Sequence, residues 1–157
     1  MIATYTIEAY YRADQPSQPA IITSPSELDR MVDDLLTQPA GHEVATLYVQ
    51  ERPWSPAGFP DHELCIGVDA RNGHGVVIYS GAQGRGAPGS HVTHNPADRH
   101  DTRHRYHHFH TELVGPTGAE IPLADLRSAT YEFLAHGGER PRCVQWQPYH
   151  HDTHTAR

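Results

Sequence analysis

The chain has 157 residues, and its 19 acidic side chains outnumber the 12 basic ones to give a formal charge of −7 with the 14 histidines neutral. That length buries a core unaided, while two cysteines far apart, Cys65 and Cys143, exclude a disulfide framework or a cysteine-rich zinc site and point to a reducing compartment. An acidic chain without a basic stripe suits a basic protein partner better than nucleic acid, and no stretch approaches the roughly 20 apolar residues of a membrane span.

The opening MIATYTIEAYYR has no basic head before an apolar run, so a cytoplasmic, soluble protein is expected rather than an exported one. Ile2 to Arg12 alternates β-branched and aromatic residues with small or polar ones, which predicts a first strand. A connection containing Pro16 and Pro19 follows. Ser24 and Glu27 then have the spacing of a capping box, with Pro25 at the first helical position. Leu28, Met31, Val32, Leu35 and Leu36 recur at helical spacing, Asp29, Arg30, Asp33 and Asp34 occupy the other side, and Pro39 and Gly41 end the helix.

Val44 to Gln50 reads as a strand, and the proline-rich ERPWSPAGFP after it as a structured loop anchored by Trp54 and Phe59. Leu64 to Asp69 and Gly75 to Tyr79 predict an antiparallel hairpin, because Asn72-Gly73 between them favours a tight turn. Gly81 to Asp101, rich in glycine and proline, reads as a long loop or an irregular pair of edge segments. His104 to Val114 reads as a further strand with Tyr106, His108 and His110 on one face. After the Ile121-Pro122 corner, Leu123, Leu126, Ala129, Thr130, Phe133 and Leu134 line one helical face, and Gly137-Gly138 closes the helix. Cys143, Val144 and Trp146 then form a short strand; Leu126, Phe133 and Trp146 are assigned to the core. The expectation is one α+β domain over 1–147, a mostly antiparallel sheet of about five or six strands packed by two long helices, with 148–157 a frayed tail.

Several motifs compete for function. Residues 91–110 hold seven histidines, and His108 and His110, on one side of a strand, can offer two imidazoles to a metal with His104 or Asp101 beside them. This supports an alternative reading as a small metal-dependent enzyme or metal-binding protein, although the run lacks the fixed spacing of a zinc motif. His110-Thr111-Glu112 with Pro141-Arg142-Cys143 is an incomplete zinc-deaminase signature: the proline is not adjacent to Cys143, and Trp146 stands where the second cysteine belongs. Gly84, Gly86 and Gly89 match a dinucleotide fingerprint in spacing only, since Pro88 interrupts it and no helix follows. No nucleophile elbow occurs, and a chain without lysine cannot form a phosphate-binding P-loop. Asp61 and Glu63 lead into a predicted strand beside the Trp54 loop, where acids and an aromatic group can share a binding face; Asp61, Glu63 and Asp69 can otherwise serve as a general acid and base if a cleft gathers them.

Three stretches, LYVQERPW at 47–54, GFPDHELCIGVDARNGHGVVIYSG at 58–81 and EIPLADLRSATYEFLAHGGERPRCVQWQ at 120–147, resemble the immunity proteins of bacterial polymorphic toxin systems, the group paired with deaminase toxins. The resemblance implies a non-enzymatic α+β domain that binds a cognate toxin domain in the cytoplasm and blocks its active site; no cofactor or metal is expected. Nucleic acid and membrane are not expected partners. Trp54, Asp61, Glu63, Asp69 and Glu112 are then the candidate toxin-binding residues. Gly84 to Arg105 departs from the family pattern and is a place where partner specificity can be tuned.

Overall fold

Apolar side chains at alternate positions of the central strands demand cover on both faces of a sheet, and the computed structural model shows how each face obtains it. The structure describes residues 4–12, 17–38, 42–52, 56, 58, 60–81, 89–98, 105–108 and 111–149. In chain order the elements are β1 (Ile7–Tyr10), β2 (Ala20–Ile22), α1 (Pro25–Thr37), β3 (Val44–Val49), β4 (His62–Asp69), β5 (His74–Gly81), β6 (Gly89–His94), β7 (Arg105–His108), β8 (Thr111–Val114), β9 (Ile121–Pro122), α2 (Leu123–Ala135) and β10 (Gln145–Pro148).

An eight-stranded antiparallel sheet runs in the order β10-β6-β5-β4-β3-β1-β2, with β9 joining β5 at His74 and Gly75. Both helices cover one face. Ile7, Leu47, Leu64, Ile66, Val77 and Tyr79 meet Leu28, Met31, Val32 and Leu35 of α1 and Leu126, Ala129 and Phe133 of α2 in one core cluster. Each large side chain so buried contributes about 1.5–3 kcal/mol of transfer free energy. On the opposite face Val44, Cys65, Val76, Ile78 and Val92 form a smaller cluster closed by Tyr106 of β7. The Tyr106 ring lies where a Cβ on Gly67 would stand, 2.7 Å from its Cδ1, so that glycine admits it. The Tyr106 hydroxyl donates to Glu120 at 2.9 Å.

The helix ends follow from their sequences. Ser24 Oγ accepts from the Glu27 N–H at 3.3 Å, and Glu27 reaches back to the Thr23 N–H, also at 3.3 Å, so the box closes one residue earlier than the usual pattern. Gly137 and Gly138 both have positive φ, 65° and 89°, and the Gly138 N–H bonds the Phe133 carbonyl. Arg127 of α2 reaches Asp29 at 3.1 Å and Asp33 at 2.7 Å, one turn apart on α1, and the Tyr131 hydroxyl bonds Asp29 as well. With Asp33 largely in solvent these pairs contribute no more than about 1 kcal/mol, so they fix the helix register more than they stabilise the fold.

The expected α+β arrangement holds, with corrections. The main sheet has eight strands rather than five or six, and each helix is 13 residues, an ordinary length rather than a long one. The segment Gly81 to Asp101 contributes β6, an internal strand between β5 and β10. In place of the single strand expected over His104 to Val114, Arg105–His108 and Thr111–Val114 pair as two antiparallel strands, a separate two-stranded sheet, and 104, 109 and 110 lie outside the described residues. The first strand covers Ile7–Tyr10, and the last one begins at Gln145 rather than Cys143 and takes in Pro148, the first residue of the expected tail. Residues 150–157 lie outside the described residues.

Gly138→Ala places a methyl 2.8 Å from Arg52 Cδ at a φ of 89°, so it is expected to destabilise the fold by about 3 kcal/mol in urea titrations; an unchanged midpoint would contradict the assigned turn. A second expectation concerns acid. Burial pushes the Glu132 carboxyl up, but N–H groups of Arg142 and Cys143, at 2.6 and 3.1 Å, outweigh it and hold its pKa below the ordinary 4.5. Its contribution is therefore complete above pH 4.5 and lost as pH falls through the lower folded value. Glu132→Gln should be less stable than the parent at pH 7, and the gap should shrink at about pH 3.

Candidate functional site

β7 packs on β3 and β4 at the end marked by Val44 and Gly67, and more polar groups occupy the other end of the same sheet face. Strand register assembles them. Ile21 pairs with Glu8 and Glu8 with Tyr48, while Leu47 opposite Leu64 sets Tyr48 opposite Glu63. Glu63 in turn pairs with Ser80, and Ser80 with Ser90. One row of side chains therefore crosses six strands.

Within it the Tyr48 hydroxyl donates to Glu63 Oε2 at 2.7 Å, and Gln50 Nε2 donates to Glu8 Oε1 at 3.2 Å. Tyr10 meets Tyr48 edge to face, with centroids 6.1 Å apart. Burial, reinforced by the Glu63 carboxylate, raises the Tyr48 pKa, so the phenol remains a neutral donor. Ile21, 51% exposed, is the one exposed large hydrophobic side chain among the described residues. The arrangement brings two carboxylates, two aromatic rings and an aliphatic group together along one sheet face, groups of the kind that can contact a protein partner.

Asp61 belongs to different surroundings. Its Oδ1 lies 3.1 Å from Arg52 Nε and 3.0 Å from His62 Nδ1. His62, 3% exposed, accepts the Val49 N–H on Nε2 at 2.8 Å, which leaves Nδ1 to carry the proton donated to Asp61. Arg52 Nη1 also donates to the Gly138 carbonyl at 2.7 Å, and the Tyr79 hydroxyl donates to the same oxygen at 2.8 Å. Asp61 thus joins the start of β4 to the double glycine after α2.

Asp69 shares the Glu63 face by alternation but sits at the covered end, 3% exposed. Its carboxylate accepts from the Arg71 and Asn72 N–H groups at 3.1 and 3.3 Å and from Asn72 Nδ2 at 2.7 Å, organising the β4-β5 turn. Glu112 is in β8, opposite His107. Trp54 lies outside the described residues, as do Asp101, His104 and His110 of the histidine run, whereas His108 ends β7. The structure therefore places Glu63 on the row that crosses the sheet and sets Asp61 and Asp69 in separate internal networks, so these three do not form one cluster. Among the described residues no group of three or more His, Cys, Asp or Glu side chains is placed to hold a metal ion. Burial pushes the Cys65 thiol up to about 12, and burial with Glu132 alongside pushes Cys143 up to about 11, so neither is an activated nucleophile.

Sequence reasoning missed Glu8, Tyr10, Ile21 and Tyr48. Alternation in Glu8-Ala9-Tyr10 and Thr46-Leu47-Tyr48 is the signal that places the acid and both rings on one face, but it needs the β1-β3 pairing to become a site. Ile21 carried no such signal, because β2 is only three residues long and follows Pro19.

Compared with known families, residues 17–148 match the model of Immunity protein Imm1, a span reaching from the approach to β2 to the end of β10. No curated protein matches the chain. No helix among the described residues is long and apolar enough to cross a membrane.

The geometry separates two neighbouring acids by their effect on stability. Asp61→Ala leaves Arg52 and His62 buried without their shared carboxylate and is expected to cost about 3–5 kcal/mol. Glu63→Ala, which removes one acceptor from the half-buried Tyr48 hydroxyl, should cost only about 1 kcal/mol. Urea titration of the two variants reads the difference directly; equal losses would contradict these assignments.

Proposed function

The chain belongs to the Imm1 family of immunity proteins, and from that premise we propose that it protects the cell making it by binding a cognate toxin domain of a polymorphic toxin system and covering that domain's active site. The family match across residues 17–148 carries this reading. We assign the toxin to the deaminase class, on the resemblance of the stretches at 47–54, 58–81 and 120–147. In this account the protein has no catalytic role: it acts stoichiometrically, in the cytoplasm, as a protein-binding module without cofactor, metal, nucleic acid or membrane.

An enzyme that edits nucleic acid needs a groove that is positive along the phosphate path. An acidic inhibitor occupies such a groove by presenting carboxylates where phosphates would lie, with aromatic groups filling the apolar floor. Glu63 is the candidate contact best supported by its position, and Trp54 and Glu112 remain proposed contacts with it. Asp61 and Asp69, held in internal networks, serve chiefly to shape the strand ends that carry the contact groups.

Calorimetric titration of the tag-free protein into the inactivated toxin domain encoded by the neighbouring gene is expected to give one-to-one binding with Kd on the order of nanomolar or tighter. In cells expressing the active toxin domain, co-expression should restore growth only when this protein is at least equimolar. Protection at strongly substoichiometric levels would indicate catalysis and overturn the reading.

A further inference from the structure

Two modes of recognition are open to a sheet protein: a partner adds a strand to an edge, or it packs on a face. The edges here are poorly suited to the first. In antiparallel pairing, residues alternately direct their backbone groups to the neighbour and away from it. The Gln50 N–H bonds the Thr6 carbonyl, so Thr6, Glu8 and Tyr10 turn toward β3 while Ile7 and Ala9 turn toward Ile22 and Ala20 of β2. The outward positions of the β2 edge are then Pro19, Ile21 and Thr23. Pro19 has no N–H, and the Thr23 N–H is taken by Glu27, which leaves the Ile21 N–H alone. At the opposite edge the Tyr149 N–H bonds the Ser90 carbonyl, so Trp146 and Pro148 turn outward and only Trp146 has a donor.

The face supplies what the edges lack. Elsewhere the acids with described contacts serve the fold: Asp29 and Asp33 meet Arg127, Asp61 meets Arg52, and Glu132 holds two backbone N–H groups. Glu8 and Glu63 differ, since Gln50 and Tyr48 are their polar partners and no salt bridge joins either to a cation among the described residues. Arg12, beyond the end of β1, lies over the Tyr11 ring at 5.9 Å. Glu8 and Glu63 flank Tyr48 on strands two spacings apart, roughly 10 Å between backbones. A planar guanidinium fits that interval, meeting both carboxylates while its face lies on the Tyr48 ring.

We propose that the sheet face bearing Ile21, Glu8, Tyr10, Tyr48 and Glu63 is the docking surface for the toxin domain, and that its occupant is a basic segment whose arginine enters between Glu8 and Glu63 over Tyr48. The proposal rests on the immunity reading for the identity of the partner and on the face itself for the chemistry. Ile21 and Tyr10 form the apolar margin that excludes water from the ion pairs, and charge complementarity sets both attraction and salt sensitivity.

The test titrates the inactivated toxin domain with the parent, with Glu8→Gln/Glu63→Gln, with Ile21→Arg, and with a charge-matched control, Asp125→Asn/Glu139→Gln, whose two acids are exposed away from the row. The double variant and Ile21→Arg should each raise Kd at least about 30-fold, the control less than about 3-fold. Parent affinity should fall more steeply with sodium chloride than that of the double variant. Tight parent binding with the double variant and Ile21→Arg within about 3-fold of it overturns the surface and leaves immunity standing. Absence of parent binding overturns the immunity pairing and the proposal with it. Circular dichroism and urea midpoints establish folding of each variant; should the double variant not fold, Ile21→Arg, a change at an exposed position, decides the question alone.

Discussion

The Gly138 carbonyl, accepting from both Arg52 and the Tyr79 hydroxyl, is the point on which the fold turns. It lies where α2 ends, and its two donors come from the β3-β4 connection and from β5, so one oxygen joins the helix layer to the sheet. That convergence needs positive φ at two consecutive residues and no Cβ at either, because Tyr5 closes on Gly137 and Arg52 with His62 on Gly138. Arg52 is in turn held by Asp61, and Asp61 by His62. The buried charge of Arg52 is countered by Asp61, and its Nη1 donates to the Gly138 carbonyl.

The consequence reaches the other face of the sheet. With the start of β4 fixed, alternation sends His62 and Leu64 into the helix-facing core and Glu63 to the opposite side, beneath the Tyr48 hydroxyl. A slip of one residue would exchange these roles, burying the carboxylate and exposing the leucine. The polar network on one face thereby sets the identity of the recognition surface on the other. It also explains why two adjacent acids, Asp61 and Glu63, do unlike work.

Local signals were legible in the sequence where local physics dominates. The capping box at Ser24 and Glu27, the apolar stripe of α2, the double glycine and the Asn72-Gly73 turn each rest on interactions within a few residues, and each is present. What stayed hidden depends on partners distant in the chain. β2 is recruited by β1 despite Pro19, and β6 by β5 and β10 despite its glycine-rich approach, because open backbone groups of a sheet select any extended segment that can satisfy them. The histidine-rich segment read as one strand because its period-two pattern continues across the place where the chain turns back. For the site, Glu63 was legible as an acid leading a strand, while Glu8, Tyr10 and Tyr48 acquire meaning only through the β1-β3 register, about 40 residues apart in sequence.

The central claim is that a toxin domain is held on the Tyr10, Tyr48 and Ile21 face rather than on the helices. Hydroxyl-radical footprinting of the protein alone and in its toxin complex reads side chains on both faces at once. Loss of reactivity at Tyr10, Tyr48 and Ile21, with Tyr131 between the helices unchanged, is the result this account predicts. Unchanged reactivity at those three side chains, with protection confined to α1 and α2, would contradict it.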